Sequence, residues 1–76
     1  MQYMVDTKAL KKLMVENEIN TISELEAQSG INRNTLSDIL NGVTFPSAKV
    51  IGRLIDVFHI PNENVGGIFF VPFDLQ

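Results

Sequence analysis

Apolar residues recur along the chain at the spacing of an α-helix, three and four positions apart. Leu10, Leu13 and Met14 show this spacing first, which places all three on one face of a helix. Asp6 is a suitable N-cap, and Val5 can pack on Leu10 as a hydrophobic staple. The pattern therefore predicts a first helix that begins after Asp6.

Two further helices are predicted in the middle of the chain. Thr21 followed by Glu24 fits a capping box, so the second helix begins at Ile22. Gly30 ends it, because glycine takes the left-handed conformation without a side-chain clash. Asn32 can cap a third helix. The residues that this third helix turns toward the core are Leu36, Ile39 and Leu40.

The C-terminal half predicts two more helices and an apolar tail. Pro46 blocks helix continuation, and Ser47 can cap a fourth helix that ends near His59. A short fifth helix is expected over residues 62–69, weakened by two glycines at about 1 kcal/mol each relative to alanine. The inner side of the fourth helix carries Val50, Ile51, Leu54, Val57 and Phe58. The predicted fold is all-α, with five short helices.

Length and composition exclude several classes of protein. A chain of 76 residues forms one domain. It has no cysteine and a single histidine, His59, so it lacks a cysteine nucleophile and the usual zinc ligands. No nucleophile–base pair or glycine-rich phosphate loop is present. We therefore expect that the protein is not an enzyme and that it binds no cofactor and no small-molecule substrate. The chain shows no signal peptide, and it has no apolar run of the roughly 20 residues that are needed to span a bilayer. We therefore expect a cytoplasmic protein that makes no membrane contact.

The net charge of −3 argues against nucleic-acid binding by bulk charge alone. The six cations are clustered, however, so they can form a local basic face in spite of the negative total. They are Lys8, Lys11, Lys12, Arg33, Lys49 and Arg53.

The second and third predicted helices, 22–29 and 33–40, are joined by a short turn that contains Gly30. Such a pair is a helix-turn-helix, in which the start of the second helix contacts base edges in the major groove of DNA. The face opposite the apolar stripe bears directed hydrogen-bonding groups: arginine suits guanine, asparagine suits adenine, and aspartate suits cytosine. The candidate base contacts are Arg33, Asn34, Ser37 and Asp38. The candidate phosphate contacts are Ile22, Asn32, Asn41, Thr44, Ser47 and Lys49.

A set of residues spread over the five predicted helices has a recognisable spacing. Its members are Leu25, Gly30-Ile31, Thr35-Leu36, Ile39, Asn41-Gly42, Pro46-Ser47, Leu54, Phe58-His59-Ile60 and Val65. Through this set, residues 8–65 resemble the Cro/C1-type helix-turn-helix family of lambdoid phage repressors and their bacterial relatives. The resemblance implies a lambda repressor-like domain of five helices that binds an operator in double-stranded DNA as a dimer. It implies that Arg33, Asn34 and Asp38 read bases with Ser37 near them, and that Asn41 and Thr44 contact the DNA backbone.

The chain departs from the family pattern at three positions. Ile22 replaces a glutamine, Glu26 a small alanine, and Leu40 a glutamate. A carboxylate at position 26 would lie near the crossing of two helices, so Glu26 must reach solvent or find a partner.

The apolar C-terminus has two interpretations. Residues 1–70 are expected to form the DNA-binding domain, and residues 71–76 a tail that serves as a candidate dimerisation arm. The tail phenylalanines either complete the core or form a dimer interface across a two-fold axis. The candidate dimer residues are Phe69, Phe70, Val71 and Phe73.

Two functions from different classes fit these observations. The first is a sequence-specific transcriptional regulator, a small repressor of phage, prophage or mobile-element type, that reads the major groove with its third helix. The second is a protein-interaction module of the same fold, such as an antitoxin, antirepressor or adaptor, favoured by Ile22, Glu26 and the acidic total.

Overall fold

Five helices and a two-stranded sheet make up the part of the chain that the computed structural model describes, residues 2–72. The all-α class predicted from the sequence is confirmed, with each helix at its predicted place. The helices are α1 (Thr7–Glu16), α2 (Ile22–Ser29), α3 (Arg33–Leu40), α4 (Ala48–Phe58) and α5 (Asn62–Phe69). The strands are β1 (Tyr3–Met4) and β2 (Val71–Pro72).

Side-chain caps begin the first and second helices. A carboxylate oxygen of Asp6 accepts from the N–H of Ala9 at 3.0 Å, as the sequence predicts. The hydroxyl of Thr21 accepts from the N–H of Glu24 at 3.1 Å. The Glu24 carboxylate accepts in turn from the N–H of Asn20 at 3.2 Å, one residue before the position that a regular capping box uses.

The third and fourth helices are capped in the same way. The Asn32 side chain accepts from the N–H of Asn34 at 2.8 Å, and the Ser47 hydroxyl accepts from the N–H of Val50 at 3.3 Å. Each cap satisfies one N–H that the first turn of a helix leaves without a partner. The starts of both helices are therefore determined by the residues that the sequence indicates.

Two helix ends use left-handed residues that are not glycine. Glu18 has a φ of +59° and His59 a φ of +54°. At the first of these, the N–H of Ile19 donates to the carbonyl of Met14 at 2.8 Å. The turn brings Ile19, only 1% exposed, into the core, although no helical spacing marks it as a core residue.

The core is a single cluster to which every helix contributes. The side chains buried to 1% exposure or less are Leu10, Ile19, Leu25, Leu36, Ile39, Leu54 and Phe69. The predicted stripe of α3 is inside, with Leu36 and Ile39 among these residues and Leu40 at 7%. Burial of this apolar stripe holds α3 on the domain with its opposite face outward.

The two ends of the described chain pair with each other. Tyr3 lies opposite Pro72 and Met4 opposite Val71 in an antiparallel sheet, and the N–H of Asp6 donates to the carbonyl of Ile68 at 2.7 Å. The strand β1 was not predicted from the sequence. Val71 and Pro72 of the expected tail thus lie against the body of the domain.

The two neighbouring phenylalanines of the tail are placed differently. Phe69 is completely buried in the core, whereas Phe70 is 41% exposed. The assignment of Phe69 to a dimer contact is therefore wrong, since α5 turns its ring inward among apolar side chains. Phe70 and the half-buried Val71 remain accessible, and Phe73 lies outside the described residues.

Candidate nucleic-acid interface

The helices α2 and α3 are joined by a three-residue turn, residues 30–32. Gly30 has a φ of +73°, the left-handed conformation that lets the chain reverse after α2. Ile31 follows it into the core at 4% exposure. The Ser29 hydroxyl accepts from the N–H of Ile31 at 3.1 Å. These contacts fix the angle between the two helices and make the segment a helix-turn-helix.

The outer face of α3 carries polar side chains that extend into solvent. Arg33, Asn34 and Asp38 are exposed, and Ser37 is half-buried. None of the four packs in the core, because the helix buries its other side. Directed donors and acceptors therefore lie at the start and middle of α3, where a helix-turn-helix places its base contacts.

Arg33 is bound to α2. Its backbone N–H donates to Glu26 Oε2 at 2.9 Å, and its Nε donates to Glu26 Oε1 at 3.4 Å. Its Nη2 donates to the hydroxyl of Ser23 at 2.9 Å. The Glu26 carboxylate, which was expected to need solvent or a partner, thus has Arg33, the first residue of α3, as its partner. Ser23 was not predicted as a site residue, although Ser23 and Glu26 have the i, i+3 spacing of neighbours on a helix face.

The candidate phosphate contacts lie at the ends of helices, except for Thr44, which lies in the loop between α3 and α4. Asn32 and Ser47 are exposed N-caps, and Asn41 is the exposed C-cap of α3. Asn41 also donates from Nδ2 to the Ser37 hydroxyl at 3.4 Å. The side chains of Thr44 and Lys49 are exposed as well, whereas that of Ile22 is half-buried against the core. Any contact from Ile22 would therefore come from its backbone N–H.

Arg53 links α4 to the turn of the helix-turn-helix. Its Nη1 donates to the carbonyl oxygens of Ser29 at 3.3 Å and Gly30 at 3.5 Å. A cation at the C-terminal end of α2 is favourable because the last carbonyls of a helix carry partial negative charge. The sequence shows Arg53 only as a member of the cation cluster. Its partners lie 23 and 24 residues away.

Three exposed aromatic rings lie together beside the sheet. Tyr3, Phe45 and Phe70, here called the aromatic patch, are 45%, 45% and 41% exposed. The centroid of the Phe70 ring is 5.8 Å from that of Tyr3 and 5.8 Å from that of Phe45. A groove runs from Tyr3 to the loop after α3. Residues from three distant parts of the chain thus form one apolar surface.

The fold and its outer helix define a DNA-binding domain of the helix-turn-helix class. The family model described as the Cro/C1-type HTH DNA-binding domain matches residues 9–61, and the chain belongs to this family. No curated protein and no solved structure matched the chain. Within residues 2–72, no helix has both the length and the apolar character needed to cross a membrane.

Proposed function

We propose that the protein is a sequence-specific transcriptional regulator that reads the major groove with α3. The observation that carries the proposal is the exposed face of α3, with Arg33, Asn34 and Asp38 directed away from a buried stripe. Arginine and asparagine each offer paired hydrogen bonds to a single base edge, and aspartate accepts from cytosine. Ser37 lies beside them, half-buried.

Helix starts support contacts with the DNA backbone. The caps of α2 and α4 use the N–H groups of Glu24 and Val50. Within residues 2–72, the N–H groups of Ile22 and Lys49 have no acceptor. Backbone N–H groups at a helix start are suited to phosphate oxygens. Together with the side chains of Asn32, Asn41, Thr44, Ser47 and Lys49, they would hold α3 in register on the duplex.

Repression by occupancy is the proposed mode of action. Residues 2–72 form a small helix-turn-helix domain of five helices, with α3 on its surface. Binding across a promoter excludes polymerase without further chemistry. The proposed regulator is of the phage, prophage or mobile-element type, acts in the cytoplasm and requires no enzyme activity.

Selection of bound sites from random double-stranded DNA tests the proposal. We expect the purified protein to enrich one motif, arranged as an inverted repeat with half-sites about 34 Å apart if it binds as a dimer. A chain with Arg33, Asn34 and Asp38 all changed to alanine serves as the control and should enrich no motif. Enrichment of identical motifs by both chains would contradict reading by α3.

The regulator acts as a homodimer through the aromatic patch. Large exposed aromatic side chains are typical of protein interfaces, and Phe70 and Val71 belong to the region for which the sequence predicts dimer contacts. Sedimentation equilibrium would measure self-association. Phe70→Ser and Tyr3→Ser should weaken it, whereas Val15→Ser, at a 74% exposed apolar residue of α1, should not. Equal association of all three variants would place the interface elsewhere.

A protein-interaction module is the second candidate function. It is favoured by the same aromatic patch and by the net charge of −3. Retention on mixed-sequence DNA at increasing salt separates the two candidates. Binding through several phosphates should weaken by roughly a thousandfold between about 50 and 200 mM salt. A chain that does not bind DNA at low salt but retains a protein through its aromatic patch would support the module.

A further inference from the structure

Two side chains of α2 hold the guanidinium and the backbone of Arg33. Glu26 accepts from both the N–H and the Nε of Arg33, and Ser23 accepts from Nη2. Ser23 and Glu26 lie on the same face of α2 because they are three residues apart. The first residue of α3 is thus bound to the preceding helix through its main chain and its side chain.

The contacts occupy one edge of the guanidinium. A guanidinium has five N–H donors in a rigid planar arrangement. The edge formed by Nε and Nη2 is directed to Glu26 and Ser23. Nη1 makes no hydrogen bond to any of residues 2–72, and the side chain is 58% exposed. The free edge, formed by Nη1 and the second N–H of Nη2, is the pair of donors that the O6 and N7 atoms of guanine can accept.

We propose that Glu26 and Ser23 are positioning residues that orient Arg33 end-on toward a guanine and so set its base preference. The inference rests on the proposed function, since Arg33 must reach DNA. Arginine loses considerable rotamer freedom when it is fixed at an interface. Because Glu26 and Ser23 restrict the side chain before binding, less of that entropy is lost when the guanine is bound.

A contribution to folding alone explains the arrangement less well. The carboxylate and the guanidinium are 35% and 58% exposed, and exposed ion pairs contribute little to the free energy of folding. The negative charge of Glu26 beside a DNA-facing helix also repels phosphates. Through its charge alone, Glu26 would lower the affinity for every DNA sequence. Through positioning, it raises the affinity only for sequences in which Arg33 meets its preferred base.

The test compares full-length wild-type protein with Glu26→Ala, Ser23→Ala and the control Glu16→Ala, which removes an exposed acid at the end of α1. Each chain is titrated with the operator selected by the wild type and with operators changed at single base pairs, at one salt concentration. We expect Glu26→Ala to reduce discrimination at one guanine by about fivefold and Ser23→Ala by about twofold, part of what a paired contact supplies. Glu16→Ala should match the wild type.

Two further measurements separate positioning from a change in folding or charge. The affinity of Glu26→Ala for mixed-sequence DNA should equal or exceed that of the wild type, and its circular dichroism should be unchanged. In an Arg33→Ala background, Glu26→Ala should leave base discrimination unaltered, because the side chain that it positions is gone. If Glu26→Ala is unfolded, Glu26→Gln, which keeps the volume and one acceptor oxygen, replaces it with an expected loss of about twofold.

The possible failures are distinguishable. A wild-type chain that enriches no DNA site refutes the proposed function and the positioning with it. A wild-type chain that enriches a site which Glu26→Ala discriminates equally well overturns the positioning alone. Stronger discrimination by Glu26→Ala would show that Glu26 masks Arg33, which also overturns it.

Discussion

The Nη1 atom of Arg53 lies 2.7 Å from the position that a Cβ atom on Gly30 would occupy. Arg53 belongs to α4, and Gly30 is the left-handed residue between α2 and α3. The same Nη1 donates to the carbonyl of Ser29 at 3.3 Å. A side chain from a third helix thus closes over the turn of the helix-turn-helix. The φ of +73° at Gly30 favours glycine there, and a Cβ at this position would also make the Arg53 guanidinium shift.

Replacement of Gly30 by alanine should destabilise the domain by about 2 kcal/mol, because a left-handed alanine is strained and its Cβ would displace Arg53. Urea unfolding measures the change. Gly42→Ala is the matched control: its φ is +72°, but apart from its chain neighbours no atom of residues 2–72 lies within 4 Å of an added Cβ. It should therefore cost only about 1 kcal/mol. Gly52→Ala, inside α4, should instead stabilise by about 0.5–1 kcal/mol. Equal losses at Gly30 and Gly42 would show that Arg53 moves aside freely.

Arg53→Met should destabilise the domain by about 1 kcal/mol, since it removes the hydrogen bonds to Ser29 and Gly30 but keeps most of the side-chain volume. Lys49→Met is the control on the same helix and should change stability by less than about 0.5 kcal/mol. The double variant Gly30→Ala/Arg53→Met should lose less stability than the two single variants lose together, because both changes disturb the same contact. Full additivity in urea unfolding would mean that Arg53 stabilises some other part of the domain.

Phe69→Leu should destabilise the domain by about 1–2 kcal/mol, because it opens a void in a well-packed core. Phe70→Leu removes the same atoms at the neighbouring residue, whose ring is exposed, and should lower the free energy of unfolding by less than about 0.5 kcal/mol. Thermal unfolding at low protein concentration compares the two without a contribution from self-association. Similar losses would contradict the opposite orientations of the two rings.

Arg33→Ala should weaken operator binding by about 1–3 kcal/mol and relax the base preference at one position. Fluorescence anisotropy with the selected operator and its single-base variants measures both effects. Lys49→Ala, at a candidate phosphate contact, should lower affinity about equally for every sequence and reduce the salt dependence. If Arg33→Ala instead lowers the affinity equally for every sequence, Arg33 contacts the DNA backbone and not a base.

The helices could be read from local pattern because their starts and stops are local events. Asp6, Thr21 and Ser47 each cap a helix through a hydrogen bond that spans three residues. The left-handed end at Glu18 could not be predicted in the same way, because glutamate does not favour a positive φ, whereas histidine, the residue at His59, adopts one more readily. At each turn the following residue, Ile19 or Ile60, donates its N–H back to the helix and is buried, at 1% and 5% exposure.

The exposed residues of α3 were also predictable, since burial of Leu36 and Ile39 leaves Arg33, Asn34 and Asp38 on the other side of a helix. What the pattern could not provide was the partner of Arg33. Glu26 lies seven residues earlier on another helix, and their contact depends on the angle at which α2 and α3 cross.

Helical periodicity, caps and turn glycines in this chain therefore specify the five helices and the polar face of the third, because each depends on residues only a few positions apart. Contacts between distant segments depend instead on how the apolar stripes pack together. That packing brings Tyr3 against Phe70, Arg53 over Gly30, and Glu26 beside Arg33. The edge of Arg33 that remains free for a base is set by this packing of helices.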